Sequence, residues 1–456
     1  MNKVNIFKLL GLTCLLSFAL VANAAAKVSA EEAARLGKDL TPFGAEMAGN
    51  ADGSIPAWDG GLKHTPDHKT GDRHTDPFAD EKPLYSVTSA NMAQYADKIS
   101  AGQKALLEKY PAYRMDIYPT HRTHSAPQWV YDNTKINATS SDLMEGGNGV
   151  SDAWGGPPFP IPQNGTEVMW NHNFRWASQG NTLDMSGYVV NPDGSLATVS
   201  GAEIWQKYPM YVGSRDDNEG EVFNIFVAYD KPARRKGEVI VLRDPINQAA
   251  NPRKAWQYLV GQRRVRRAPT VAYDTPNGGF SGLATYDDAF IFNGAMDRYD
   301  WKLIGKQEIY IPYNTYKLDT YVEDPKTIFT PNHINPDYTR WELHRVWVVE
   351  ANLKEGKRHV YAKRTFFADE DSWVVALSDS YDGRGSLWRT NLSPLKNASE
   401  VPATVQRMHV YHDLIKGQYA VNNSQNEEEK ITQYGTEVTK PAKFYTPEQV
   451  RRMGRR

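Results

Sequence analysis

The densest concentration of chemistry in the sequence is a short run that ends in four arginines: Trp256-Gln257-Tyr258-Leu259-Val260-Gly261-Gln262-Arg263-Arg264-Val265-Arg266-Arg267-Ala268-Pro269. On a single strand, Arg264 and Arg266 face one way, and Arg263, Val265 and Arg267 face the other. Guanidinium groups placed so close together need carboxylates or a ligand anion to offset their desolvation. Cross-strand carboxylates such as Asp287, Glu308 or Glu342 could pair with two of the four. An anionic or polar headgroup, or a partner protein, could engage the others, with Trp256 and Tyr258 beside them. The candidate ligand-binding set is therefore Arg263, Arg264, Arg266, Arg267, Trp256 and Tyr258.

Other reactive residues form no catalytic pattern. Gly279-Phe280-Ser281-Gly282 lacks the final glycine of a nucleophile elbow. No phosphate loop, dinucleotide-binding glycine pattern or H-E-x-x-H motif occurs, so no cofactor is implied. His64, His68 and His74 lie among Asp67, Asp72 and Asp76, a metal-capable mixture whose spacing matches no zinc pattern and whose composition says polar loop. His121 and His124 are equally weak as ligands. Asp287-Asp288 and Asp369-Glu370-Asp371 are the densest acidic runs. Neighbours in a strand point to opposite faces, so neither run supplies a glycosidase pair alone, and Asp369–Asp371 falls where a hairpin should turn in water. No catalytic residue and no metal site is assigned, and the chain is read as a non-enzyme.

The elements that must position these residues are mainly strands. From about Glu167 the apolar residues recur at period two. Strands are expected over Glu221–Tyr229, Glu238–Leu242, Trp256–Val265, Phe290–Gly294, Trp301–Ile311, Tyr316–Tyr321, Glu342–Ala351, Arg358–Phe367 and Trp373–Tyr381. Hairpin-sized gaps between them imply a large antiparallel sheet, because parallel strands need helical crossovers. Residues 25–165 read as an irregular arm. It holds a helix from Ser29 to about Leu36, opened by the Ser29-x-x-Glu32 capping box, and another from about Ser89 to Tyr110. Residues 166–421 form the sheet domain, and 422–456 a polar tail, mobile or a surface helix.

The chain opens with Lys3 and Lys8, an apolar run from Leu9 to Val21, and Ala22-Asn23-Ala24. That is the form of a cleavable export signal over residues 1–24, and its apolar core is shorter than the roughly 20 residues a bilayer requires. No later stretch is apolar enough to span a membrane. Cys14, the sole cysteine, lies inside the signal, so the mature chain carries no thiol and no disulfide. Removing the signal leaves 51 basic against 54 acidic residues, a net charge of about −3, which argues against a nucleic-acid binder. Aromatic residues make up 11% of the chain and suit sheets and apolar binding walls.

Several longer motifs occur in a fixed order. They are Leu40-Thr41-Pro42-Phe43-Gly44-Ala45-Glu46; Ala48-Gly49-Asn50-Ala51-Asp52-Gly53-Ser54-Ile55-Pro56-Ala57-Trp58; Tyr118-Pro119-Thr120-His121-Arg122; the Trp256–Pro269 run; Asp300-Trp301-Lys302-Leu303-Ile304-Gly305-Lys306, leading into Ile311-Pro312-Tyr313-Asn314; and His344-Arg345-Val346-Trp347-Val348-Val349, followed by Arg358-His359-Val360-Tyr361. Over roughly residues 30–415 the chain resembles the bacterial domain-of-unknown-function family 1329, described as outer-membrane lipoprotein-sorting-protein-like. The resemblance implies a mainly β (α+β) fold, a large curved antiparallel sheet forming an incomplete LolA/LolB-like barrel with covering helices. It also implies a periplasmic carrier or chaperone for a lipid or other lipophilic molecule, serving an RND-type exporter or an outer-membrane protein. The alternative is a non-enzymatic accessory protein that docks on such partners.

Overall fold

The computed structural model describes residues 28–62, 68–217, 220–248, 250–268 and 273–454; the expected export signal and His64 lie outside them. Its strands are β1 (Tyr85–Val87), β2 (Met115–Ile117), β3 (Asp142–Met144), β4 (Gly149–Ser151), β5 (Gly180–Val190), β6 (Leu196–Lys207), β7 (Glu221–Lys231), β8 (Val239–Pro245), β9 (Lys254–Leu259), β10 (Arg264–Arg267), β11 (Tyr299–Pro312), β12 (Trp341–Leu353), β13 (Lys363–Asp369), β14 (Val375–Tyr381), β15 (Leu387–Leu392), β16 (Leu395–Ala398), β17 (Ala403–Gln406), β18 (His409–Asp413), β19 (Gln418–Ser424) and β20 (Gln433–Tyr434). Sixteen of them form one sheet whose path runs β1-β2-β12-β13-β14-β15-β18-β19-β5-β6-β7-β8-β9-β10, with β11 on β12 and β20 on β5. Its pairings are antiparallel except for a single contact between Trp341 and Ile117. Since β1 and β10 end the path without pairing to each other, the barrel is incomplete. The mainly β fold with a large antiparallel sheet is as expected.

The middle of the sheet is covered on both faces. Along β12, Val349 and Ala351 pack into one apolar cluster, while Leu343, Val346 and Val348 pack into another. That is why Val346-Trp347-Val348-Val349 shows no alternation. The first face is covered by α4 (Gly165–Asn173), and the second by α2 (Ala101–Lys109) together with Ile55 and Val87 of the N-terminal region. Helix α1 is one turn, Ala30–Ala33, with the expected capping box between Ser29 and Glu32. The helix expected over Ser89–Tyr110 is divided. Met92–Tyr95 is a 3-10 turn, and Ser100 starts α2 afresh by accepting the Gln103 backbone N–H at 3.2 Å.

Other expectations are corrected. The run Trp256–Val265 is a hairpin, because Val260–Gln262 makes a 3-10 turn and Arg263 adopts a left-handed conformation (φ 50°). Phe290–Gly294 and Tyr316–Tyr321 form turns; their apolar side chains pack down onto the sheet instead of lying along a strand. Helices α3 (Gln128–Ser140) and α4 were not anticipated, the first because its Asn, Thr and Ser content reads as loop. The residues from Asn422 onward are no loose tail. They complete β19, add β20, and fold α5 (Pro447–Gly454) back so that Val450 and Tyr445 pack with Trp205, Phe226 and Tyr258.

Candidate functional site

Strands β6, β7 and β8 present alternate residues to one face. Ile204 of β6, Phe223, Ile225 and Val227 of β7, and Ile240 and Leu242 of β8 wall an apolar cavity of about 140 Å³. The segment Asn277–Asn293 lies across it as a cap, contributing Phe280, Tyr286 and Phe290. At two edges stand Arg235 and Arg253. Each is neutralised: Arg235 Nε donates to Glu238 at 2.8 Å, and Arg253 donates to both oxygens of Asp244 at 2.5 and 2.8 Å.

The cap is held in a costly conformation. Phe290 and Ile291 have φ of 57° and 69°, a region that a β-branched residue scarcely enters unless its surroundings enforce it. The enforcement comes from hydrogen bonds. Phe290 O lies 3.0 Å from His172 Nε2 and accepts from Gln406 Nε2 at 3.1 Å, and Ile291 O accepts from Arg364 at 3.2 Å. Asp287 and Asp288 anchor the same segment, because both accept from the fully buried Arg364, at 2.9 and 2.7 Å. They sit in a 3-10 turn, not a strand, so neighbouring carboxylates converge instead of diverging. Burial opposes ionisation of Asp287, yet His359 and Arg364 hold it well below the usual carboxylate range. With its charge matched by Arg364, this pair is an anchor for the cap.

Asp369, Glu370 and Asp371, expected in a solvated turn, are buried beneath the N-terminal region. Arg122 grips both oxygens of Asp371 at 2.9 and 2.7 Å and also donates to Glu46 O. Arg345 and Lys306 meet Glu370 at 2.5 and 2.8 Å. His344 lies 3.3 Å from Glu342 and 3.6 Å from Asp369. Burial pulls its pKa down, but those two carboxylates outweigh burial and raise it to about 9. His344, Asp369 and Asp371 could gather round a metal ion. A protonated imidazole and a bidentate arginine already occupy that role.

His68 and His74 do come together, on Glu400, with His74 Nε2 2.8 Å from the carboxylate. Their rings stack 4.2 Å apart at 16°, so their lone pairs lie in near-parallel planes and one ion cannot sit in both. Asp72 pairs with Lys430, and Asp76 accepts from the Phe78 backbone, so neither joins them. Ser281 is exposed in a left-handed turn, and among the described residues no base hydrogen-bonds it.

None of the six residues singled out in the arginine run lines the cavity. Arg263, Arg264, Arg266 and Arg267 are exposed on the β9–β10 hairpin at the end of the sheet, and Tyr258 is buried against α5. The expected ion-pair ladder is absent among the described residues. Asp287 and Glu342 serve Arg364 and Arg340, and Glu308 accepts from Asn50. The wall strand β7 and its partner in β8 were legible in sequence. The cap was not, since it is built from turns.

The family described as "Protein of unknown function (DUF1329)" matches residues 86–451. An uncharacterized protein of Pseudomonas aeruginosa is 44% identical over 442 residues, covering 94% of each chain. A crystal structure of a DUF1329 family protein from Desulfovibrio piger aligns with a TM-score of 0.41 at 14% identity, over 60% of this chain and 92% of that one. A putative outer membrane lipoprotein-sorting protein domain from Vibrio parahaemolyticus gives 0.43 at 12% identity, over 62% and 97%. A LolA superfamily protein from Nitrosomonas europaea gives 0.38 at 12% identity, over 63% and 100%.

Proposed function

The chain belongs to the DUF1329 family, and from that premise we propose that it binds and carries a lipophilic molecule in the bacterial envelope. The observation that supports this is the apolar cavity between β6–β8 and the cap. Its roughly 140 Å³ is comparable to the roughly 150 Å³ apolar cavity known to admit benzene. It therefore takes a ring or a short length of chain. Burying about five methylenes at about 0.8 kcal/mol each gives about 4 kcal/mol, equivalent to a millimolar dissociation constant. Such cargo is held and can leave, as carriage requires. The basic-apolar-small start of the chain supports a periplasmic location, and an exporter or outer-membrane protein would be the receiver.

Native mass spectrometry of the protein equilibrated with millimolar 1-octanol is expected to find an apolar adduct. Calorimetric titration with 1-octanol is expected to show binding that Ile225→Asn, which puts an amide into the wall, weakens at least tenfold. A correctly folded protein that carries no adduct and takes up no octanol would end this reading.

A further inference from the structure

Among the described residues seven arginines are buried: Arg122, Arg175, Arg340, Arg345, Arg364, Arg389 and Arg407. Six of them face a carboxylate within 4.0 Å. Arg175 is the exception among the described residues. Its Nη1 donates to His172 O at 2.7 Å and its Nη2 to Gln406 Oε1 at 3.1 Å, and both acceptors are neutral. A guanidinium has five N–H donors, so most of its hydrogen-bonding capacity is unused. Burying a cation with no carboxylate costs several kcal/mol, of which the Phe290 ring beneath it offsets only a part, so an anion brought against it is strongly favoured.

The surroundings of Arg175 fit one. It lines a second, more polar cavity of about 40 Å³, walled in part by Asn181, Tyr208 and Thr432, with room for a small headgroup and not for a chain. This polar cavity adjoins the apolar one, since Gln206, Phe290 and Asn423 line both. Phe290, the strained residue of the cap, lies between them and under the Arg175 guanidinium, 4.9 Å from it. Arg235 and Arg253 at the apolar cavity already have Glu238 and Asp244, so they do not compete for an anion.

We propose that Arg175 receives the carboxylate of an amphipathic ligand whose apolar body lies in the cavity between β6–β8 and the cap. The proposal rests on the carrier reading above and adds the headgroup to it. The ligand class is a monocarboxylate with a hydrocarbon body. A phosphate monoester shares the charge, but its three terminal oxygens crowd a space of this size.

Calorimetric titration at pH 7.5 with octanoate, 1-octanol and octyl phosphate tests it. Octanoate is expected to bind at least tenfold more tightly than 1-octanol, the scale of one charge-assisted hydrogen bond. Arg175→Met is expected to abolish that preference while leaving octanol affinity within about twofold. The same variant is expected to melt at a higher temperature than the parent, because it removes an unmatched buried charge. If it fails to fold, Arg175→Lys, which keeps the charge and loses the planar fork, is expected to give an intermediate preference. Equal binding of octanoate and octanol by the parent protein overturns the headgroup assignment and leaves the cavity reading standing. A preference for octyl phosphate over octanoate overturns the choice of carboxylate. Binding of none of the three overturns the carrier reading, and the assignment with it.

Discussion

Single residues in this protein are governed by charge taken out of water. Arg364 and Arg122 each meet carboxylates from segments far away in sequence, and each pair fixes one segment against another. His344 belongs to the same class, and its chemistry makes stability depend on pH. Its folded-state pKa of about 9 lies above the ordinary value of 6.5. Its contribution is therefore complete below about pH 6.5 and is lost as pH rises through about 9, a loss on the order of 3 kcal/mol. Urea unfolding of the parent and of His344→Gln from pH 6 to 10 is expected to show a stability difference that shrinks across that window. A difference that stays constant would mean the imidazole is neutral throughout. None of this was legible in the sequence. His344 follows Glu342 by two residues in a strand, but Asp369 reaches it only through folding.

At the level of elements, strands that form continuous apolar runs between polar turns were the readable ones. Phe223, Ile225 and Val227 line the cavity while Phe226 packs under α5 on the other face of β7, and the expected strand Glu221–Tyr229 matches β7 nearly to its ends. The turns that cap the cavity have no period, and Phe290 and Ile291 resemble a strand in sequence only because they are apolar. In the Trp256–Val265 run, Gly261 lies in a 3-10 turn that the apolar and basic pattern conceals, so the four arginines decorate a hairpin and not one continuous strand. That hairpin explains their exposure. β10 is the last strand of the sheet, and charged side chains on an unpaired edge prevent other chains from adding to it. Replacing Arg264 and Arg266 with valine is expected to cause concentration-dependent self-association, visible by light scattering, with little change in melting temperature. A variant that remains as monodisperse as the parent would return these arginines to a ligand-binding role.

The molecule as a whole is more unified than its sequence suggests. The region expected to be an arm laid over a body supplies β1 and β2 to the sheet, and shares both main apolar clusters with it through Phe43, Val130, Ile55 and Leu106. The last residues are equally integrated, through β20 and α5. Sequence composition suggested a boundary near residue 165 because loops rich in Gly and Pro look detached; the contacts that attach them span hundreds of residues. Heating is accordingly expected to give one transition, coincident in near- and far-ultraviolet circular dichroism. Two separated transitions would show that the arm unfolds on its own.

The clamp beneath the N-terminal region also imposes an order in time. Arg122 is 249 residues from Asp371 in sequence, and the Phe43 carbonyl is 330 residues from the Trp373 indole that donates to it. The first part of the chain to be made must wait for nearly the last before its charges are matched and its backbone is covered. Folding dominated by such distant contacts is slow. A newly made chain consequently stays loose until its C-terminal half arrives, which is the condition in which a polypeptide can still be threaded through a narrow channel.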